Sequence, residues 1–188
     1  MRKPMLGHNN GPTMEGGYAF RKHAWGRARK DLLPTLPIEV LRGRVRRAKA
    51  LGLPYKTYAS VRASTGRDVV GFLFSNNALR MMRDAQPSPR AVALRPIRAE
   101  FAALVHMPLD PDALAQMLAS QGIDITSARA PHFAQGWSDT RAAVQAPIRG
   151  ANLPLDGVLV IGDTTQERDW SEAGKLAGFV PSDTYFTS

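Results

Sequence analysis

The chain has 188 residues, no cysteine, and 25 Lys+Arg against 16 Asp+Glu, a formal charge of +9. That length allows one sizeable core or two small ones, and the absence of cysteine excludes disulfides, thiolate catalysis and cysteine-ligated zinc. The longest apolar run, residues 69–74, is far short of the ~18 residues a membrane span requires, so a cytoplasmic protein with no membrane partner is expected.

The charge is unevenly distributed. Residues 1–100 hold 20 Lys+Arg and 6 Asp+Glu, whereas residues 101–188 hold 5 and 10. A strongly basic front and a mildly acidic back point to a polyanionic partner for the front half.

Residues 1–17 are rich in Gly and Pro, and Asn9-Asn10-Gly11-Pro12 is a turn signal. They read as a flexible arm. Glu15 and the early Gly and Pro argue against an organellar presequence. Tyr18, Trp25 and Leu32 recur every seven residues, which predicts a helix ended by Pro34. The next helix spans Ile38–Leu51, with Ile38, Leu41, Val45 and Ala48 on one stripe and Arg42, Arg46 and Lys49 in a row beside it. Gly52-Leu53-Pro54 makes a turn, and a third helix follows over Tyr55–Ser64, ended by Thr65-Gly66.

Residues 69–75 carry β-branched and aromatic side chains that favour a buried strand. Thr65-x-x-Asp68 leaves a capping box for a helix as the alternative. Ser75 is placed as the cap of a helix from Asn76 to Arg83. Residues 85–90 look like a linker. The division expected is therefore an arm over 1–17, a basic helical unit over 18–84 and an acidic α/β region over 91–188. A single core shared by the last two stays open.

In the back half, helices are predicted near Ile97–Val105 and Pro111–Gln121. Residues 123–133 are irregular or weakly extended. Ser138 is placed as the cap of a helix running to Ile148. Val158–Ile161 is a strand, followed by a helix over Thr165–Ala177 that Gly178 stops. Thr164-x-x-Glu167 is a capping box at its start. The fold class expected is mixed α/β and helix-rich: an N-terminal helical unit and a small C-terminal α/β region with few strands.

Residues 47–61 carry a small residue, Ala48, then Gly52 and Leu53, then Val61 on the following helix. This spacing resembles a helix-turn-helix DNA-binding unit over about residues 42–64. Tyr58 stands where that motif more often has an aliphatic residue. The resemblance implies that Lys56, Thr57, Ser60 and Arg62 on the second helix face DNA, with Arg42, Arg46 and Lys49 on the first against phosphates. A plain helical hairpin with solvated arginines has the same spacing.

The tract Val158–Thr165 ends a strand on Gly162-Asp163-Thr164 and begins a helix at once. Ligands of α/β sheets bind at such strand ends. The tract is loosely similar to the Gly-Asp strand end of haloacid-dehalogenase-type phosphatases. That likeness implies Asp163 as a magnesium ligand beside a phosphate, and Val70–Asn77 faintly resembles their second motif. No predicted strand ends in Asp-x-Asp, the pair such chemistry needs; Asp110-Pro111-Asp112 reads as a helix start. A helix cap is the simpler role for Asp163 and Thr164.

His8, His23, His106 and His132 lie far apart, and none has a partner at metal-ligand spacing. His132, Phe133 and Trp137 read as packing, and Trp170 as core. The acids Asp163, Glu167, Asp169 and Glu172 read as helix-start charge. The tail over 179–186 is apolar enough to dock on the fold or on a partner. The leading expectation is a DNA-binding protein without enzymatic activity or cofactor, of regulatory or phage-accessory type. The alternatives are a magnesium-dependent enzyme on a phosphorylated small molecule, and an interaction protein whose acidic back meets the basic front of another copy in a homo-oligomer.

Overall fold

The computed structural model describes residues 36–82 and 88–187. The expected arm and first helix lie outside the described residues, as do residues 85–87 of the expected linker; its other half, Ser88–Arg90, caps and opens a short helix instead. The chain divides into two units, residues 1–41 and 42–188. Of the first, only 36–41 are described, and they include the opening turn of helix α1 (Ile38–Ala50).

The second unit is mixed α/β and helix-rich, built on a five-stranded parallel sheet. Its strands are β1 (Gly71–Ser75), β2 (Glu100–Val105), β3 (Thr126–Arg129), β4 (Val158–Gly162) and β5 (Gly178–Pro181). They lie in the order β3-β2-β1-β4-β5, and every pairing is parallel. The strand order reverses between β1 and β4, so their carboxyl ends form a topological switch point.

Such a sheet is covered on both faces, and its strands read as unbroken apolar runs. Every residue of β1 and β4 is buried. Alternate residues feed two cores. Phe72, Phe74, Phe101, Ala103, Leu159 and Ile161 face one; Leu73, Ala102, Leu104, Val158 and Val160 face the other. The first core is capped by Ala48, Leu51, Leu53 and Tyr58 of the α1–α2 hairpin, where α2 is Tyr55–Thr65. It also takes Leu114 and Leu118 of α4 (Pro111–Ser120) and Tyr185 of α7 (Ser182–Phe186). The second holds Val144 and Ile148 of α5 (Trp137–Gly150) and Trp170 of α6 (Thr165–Ala173). A one-turn helix, α3 (Pro89–Val92), is capped by Ser88.

Buried residues of the hairpin and of the back half belong to one hydrophobic cluster. Several expected elements are corrected. Residues 100–105 are a strand, not a helix; Phe101-Ala-Ala-Leu-Val105 is buried on both faces, so no helical period exists to be read. Residues 76–80 form turns rather than a helix, because Asn76 bonds the Met81 carbonyl through Nδ2 and closes the chain on itself. Ser75 does cap that turn, accepting from Ala78 N at 3.0 Å. Of the two readings of 123–133, irregular or weakly extended, the second holds over β3. The last long helix ends at Ala173, and β5 and α7 follow it. α5 starts beyond Gly136, two residues before the expected Ser138 cap, and runs on to Gly150. On α1, Ala48 is buried, but Ile38, Leu41 and Val45 of the same stripe are exposed. The tail docks on the fold: Tyr185 sits among Phe72, Phe74 and Phe186 and donates to Leu51 O at 3.2 Å.

Candidate functional site

Two surfaces hold the expected residues, and the structure keeps them apart by role. The first is the α1–α2 hairpin. Gly52 sits at its elbow with φ +65°, a left-handed turn that glycine adopts without strain. Leu53 N returns to Ala48 O at 2.9 Å, so the turn folds the apolar residue back onto the end of α1.

Tyr58 explains its own departure from that pattern. The ring is buried, and its hydroxyl donates to Asp68 Oδ1 at 2.7 Å. Burial, then the Asp68 carboxylate, raises the Tyr58 hydroxyl above its ordinary value. Asp68 also takes Arg47 at 3.2 Å and Arg62 at 3.6 Å. Arg62 is thereby turned inward, away from the role expected of it, and Thr57 is half-buried. Arg42, Arg46, Lys49, Lys56 and Ser60 are exposed. On α2, Lys56 and Ser60 stand two residues either side of Tyr58, about 200° around the helix from it.

The second surface is the carboxyl edge of the sheet at the switch point. β1 ends in Ser75-Asn76-Asn77, β4 in Gly162-Asp163-Thr164, and β2 in Val105-His106. Glu167, at the third position of α6, joins them. Its Oε2 accepts from Asp163 N at 2.6 Å and Thr164 N at 3.0 Å, and Thr164 Oγ1 accepts from Glu167 N. The capping box read from sequence is complete. Oε1 accepts from Asn77 Nδ2 at 2.9 Å and lies 3.3 Å from His106 Nε2. Burial works against ionisation of Glu167, but His106, the Asp163 and Thr164 amides and the Ser75 hydroxyl outweigh it and lower the pKa to about 2. His106 is fixed twice more: its N–H donates to Asn76 Oδ1 at 2.8 Å, and its ring stacks on Trp170 at 5.4 Å.

Asp163 lies beside this group but is otherwise engaged. Arg80 Nη1 donates to its Oδ2 at 2.7 Å, and Ser182 donates to its Oδ1. Arg80 has φ 56°, an uncommon conformation for a side-chain-bearing residue. It also meets Asp183, as Arg90 does, and the Arg90 bond chiefly lowers the Asp183 pKa below its ordinary value. Both carboxylate oxygens of Asp163 are thus occupied, by Arg80 and by Ser182. Among the described residues no three His, Asp or Glu side chains converge on a metal position. No described strand ends in Asp-x-Asp, and Asp110 caps α4 by accepting from Ala113 N, as a helix start should.

The pairing of His106 with Glu167 was invisible in sequence, because 61 residues separate them and only the β2–β1–β4 adjacency unites them. Phe133 and Trp137, read as packing, are 86 % and 52 % exposed. The turn that carries Phe133 is closed by its own bonds, His132 N to Gln135 Oε1 and Gln135 N to His132 O, so the ring is left outside. Together the fold and this edge define a doubly wound α/β domain carrying a basic helical hairpin. Compared with protein-family models, curated proteins and solved structures, the chain matches none.

Proposed function

We propose that this chain binds DNA through the α1–α2 hairpin and acts as a regulatory or mobile-element accessory protein rather than an enzyme. One observation carries the reading. Arg46, Lys49 and Lys56 are exposed and form no ion pair among the described residues, while Arg47, Arg62 and Arg67 are each tied to a carboxylate. Glu39 is the only acid in residues 36–66, against seven Lys and Arg. Cations without partners on one exposed hairpin suit a phosphate backbone. Lys56 and Ser60 on the outward side of α2 suit base edges.

Duplex binding measured against salt tests it. Three contacts from Arg46, Lys49 and Lys56 give a log–log slope of about −3. A flat response, or no binding at low salt, overturns it. Light scattering over the same salt series tests a front-to-back homo-oligomer, which a monomer at low salt rules out.

A second reading is favoured by the switch point itself, where Arg80 and Thr164 stand at the carboxyl end of β4. There the ligand is a phosphorylated small molecule. Turnover of p-nitrophenyl phosphate that Arg80→Ala abolishes supports it, and its absence counts against it.

A further inference from the structure

Glu167 does more than cap a helix. A capping box asks one bond of its acidic residue, back to the N–H of the cap. Oε2 provides that bond and a second to Asp163 N. Oε1 points the other way, to Asn77 Nδ2 and His106 Nε2. The Glu167 side chain is wholly buried, whereas that of His106 is 24 % exposed. A buried carboxylate thus stands behind an imidazole that reaches the surface.

A carboxylate in that position selects the tautomer and fixes the direction of an imidazole that accepts protons. With Nε2–H directed at Glu167, Nδ1 is the free acceptor, and no described residue donates to it. The location fits a ligand. His106 follows β2 at the carboxyl edge, one strand from the switch point. Ala130 N donates to Val105 O and Gln166 Nε2 to Pro131 O, which draws the loop bearing Phe133 to the same edge. Met107 is 79 % and Phe133 86 % exposed.

We propose that His106 accepts a hydrogen bond at Nδ1 from the hydroxyl group of a small polar molecule held at this edge, with Glu167 as its positioning residue. No covalent bond is made or broken: the hydroxyl keeps its proton, and Nε2–H stays directed at Glu167. This site is separate from the hairpin and stands or falls independently of DNA binding.

Two measurements on the full-length chain test it without a known ligand. Long-range ¹H–¹⁵N correlation in alkaline buffer should find His106 protonated at Nε2 and bare at Nδ1; the opposite tautomer overturns the proposal. Diethyl pyrocarbonate, followed by mass spectrometry, should modify His106 at no less than one-third the rate of the exposed His132, and a slower reaction overturns it. Glu167→Gln should lower the His106 rate at least threefold and leave that of His132 unchanged; an unchanged His106 rate in a folded variant counts against the positioning role. If that variant does not fold, the wild-type tautomer and rate decide alone.

Discussion

Arg47 of α1 reaches Asp68, just ahead of β1, with 3.2 Å between Nε and Oδ2, while its Nη2 donates to Val69 O at 2.8 Å. This one residue ties the basic hairpin to the first strand. The same carboxylate holds Arg62 and the buried Tyr58 hydroxyl. Asp68 therefore engages two arginines of the hairpin, whose side chains are 32 % and 33 % exposed.

Asp68→Ala should act in opposite directions on stability and binding. Loss of the acceptor for a buried hydroxyl costs about 1–3 kcal/mol, which thermal unfolding would read as a drop of a few degrees. Arg62 would at the same time be released, while Arg47 keeps its bonds to Val69 O and Arg98 O. Duplex affinity at low salt should rise, and the salt slope should steepen by roughly 1. An unchanged slope would remove the link between Asp68 and the binding surface.

Single substitutions on the hairpin should separate base from phosphate contacts. Lys56→Ala and Ser60→Ala should weaken a selected site more than random duplex. Arg46→Ala should weaken both alike and make the salt slope shallower by about 1. Competition binding with the two duplexes distinguishes these outcomes.

The elbow glycine should be the least replaceable residue of the hairpin. A Cβ on Gly52 would lie 2.8 Å from Ile97 Cδ1 at φ +65°, whereas at Gly66, with φ +72°, nothing lies within 4 Å. Left-handed strain alone costs about 1 kcal/mol, and a forced contact in a packed core adds about 1–3 kcal/mol. Chemical denaturation should therefore find Gly52→Ala clearly more damaging than Gly66→Ala; equal effects would show that Ile97 yields.

Acid should unfold the domain partly through Glu167. Its folded value of about 2 lies below the ordinary 4.5, so the unfolded chain takes up the proton first. The stabilisation is fully present above pH 4.5 and is lost as pH falls towards 2. The gap corresponds to a contribution of about 3 kcal/mol. Glu167→Gln should flatten the stability profile between those limits, as followed by denaturant midpoints.

Two aromatic residues that look alike in sequence should behave in opposite ways. Trp170 is fully buried between the sheet and His106, and Trp170→Ala should cost about 3–5 kcal/mol. Phe133 is 86 % exposed, and Phe133→Ala should change stability by less than about 0.5 kcal/mol. A large loss at Phe133 would mean that its loop packs more tightly than its exposure indicates.

Local signals in the chain were read correctly where the cause was itself local. The α1–α2 hairpin follows from helical spacing and Gly52, the α6 cap from Thr164 and Glu167, and β4 from a short apolar run before a glycine. Where the cause is not local, the spacing carries no record of it. Residues 101–105 are buried on both faces of a parallel sheet, so they carry no period to tell strand from helix. β3, Thr126-Ser-Ala-Arg129, has almost no apolar content and is a strand because Ala102–Val105 lies beside it.

The sequence by itself determined that the front is basic, that a helical hairpin with a glycine elbow stands there, and that a strand end carries Gly162-Asp163-Thr164. Each depends on residues within one or two turns of each other. Only the tertiary structure decided the sheet order, the inward turn of Arg62 to Asp68, the capture of Asp163 by Arg80, and the meeting of His106 with Glu167. Those contacts span tens of residues, and chain spacing carries no record of which strand ends a sheet will bring together.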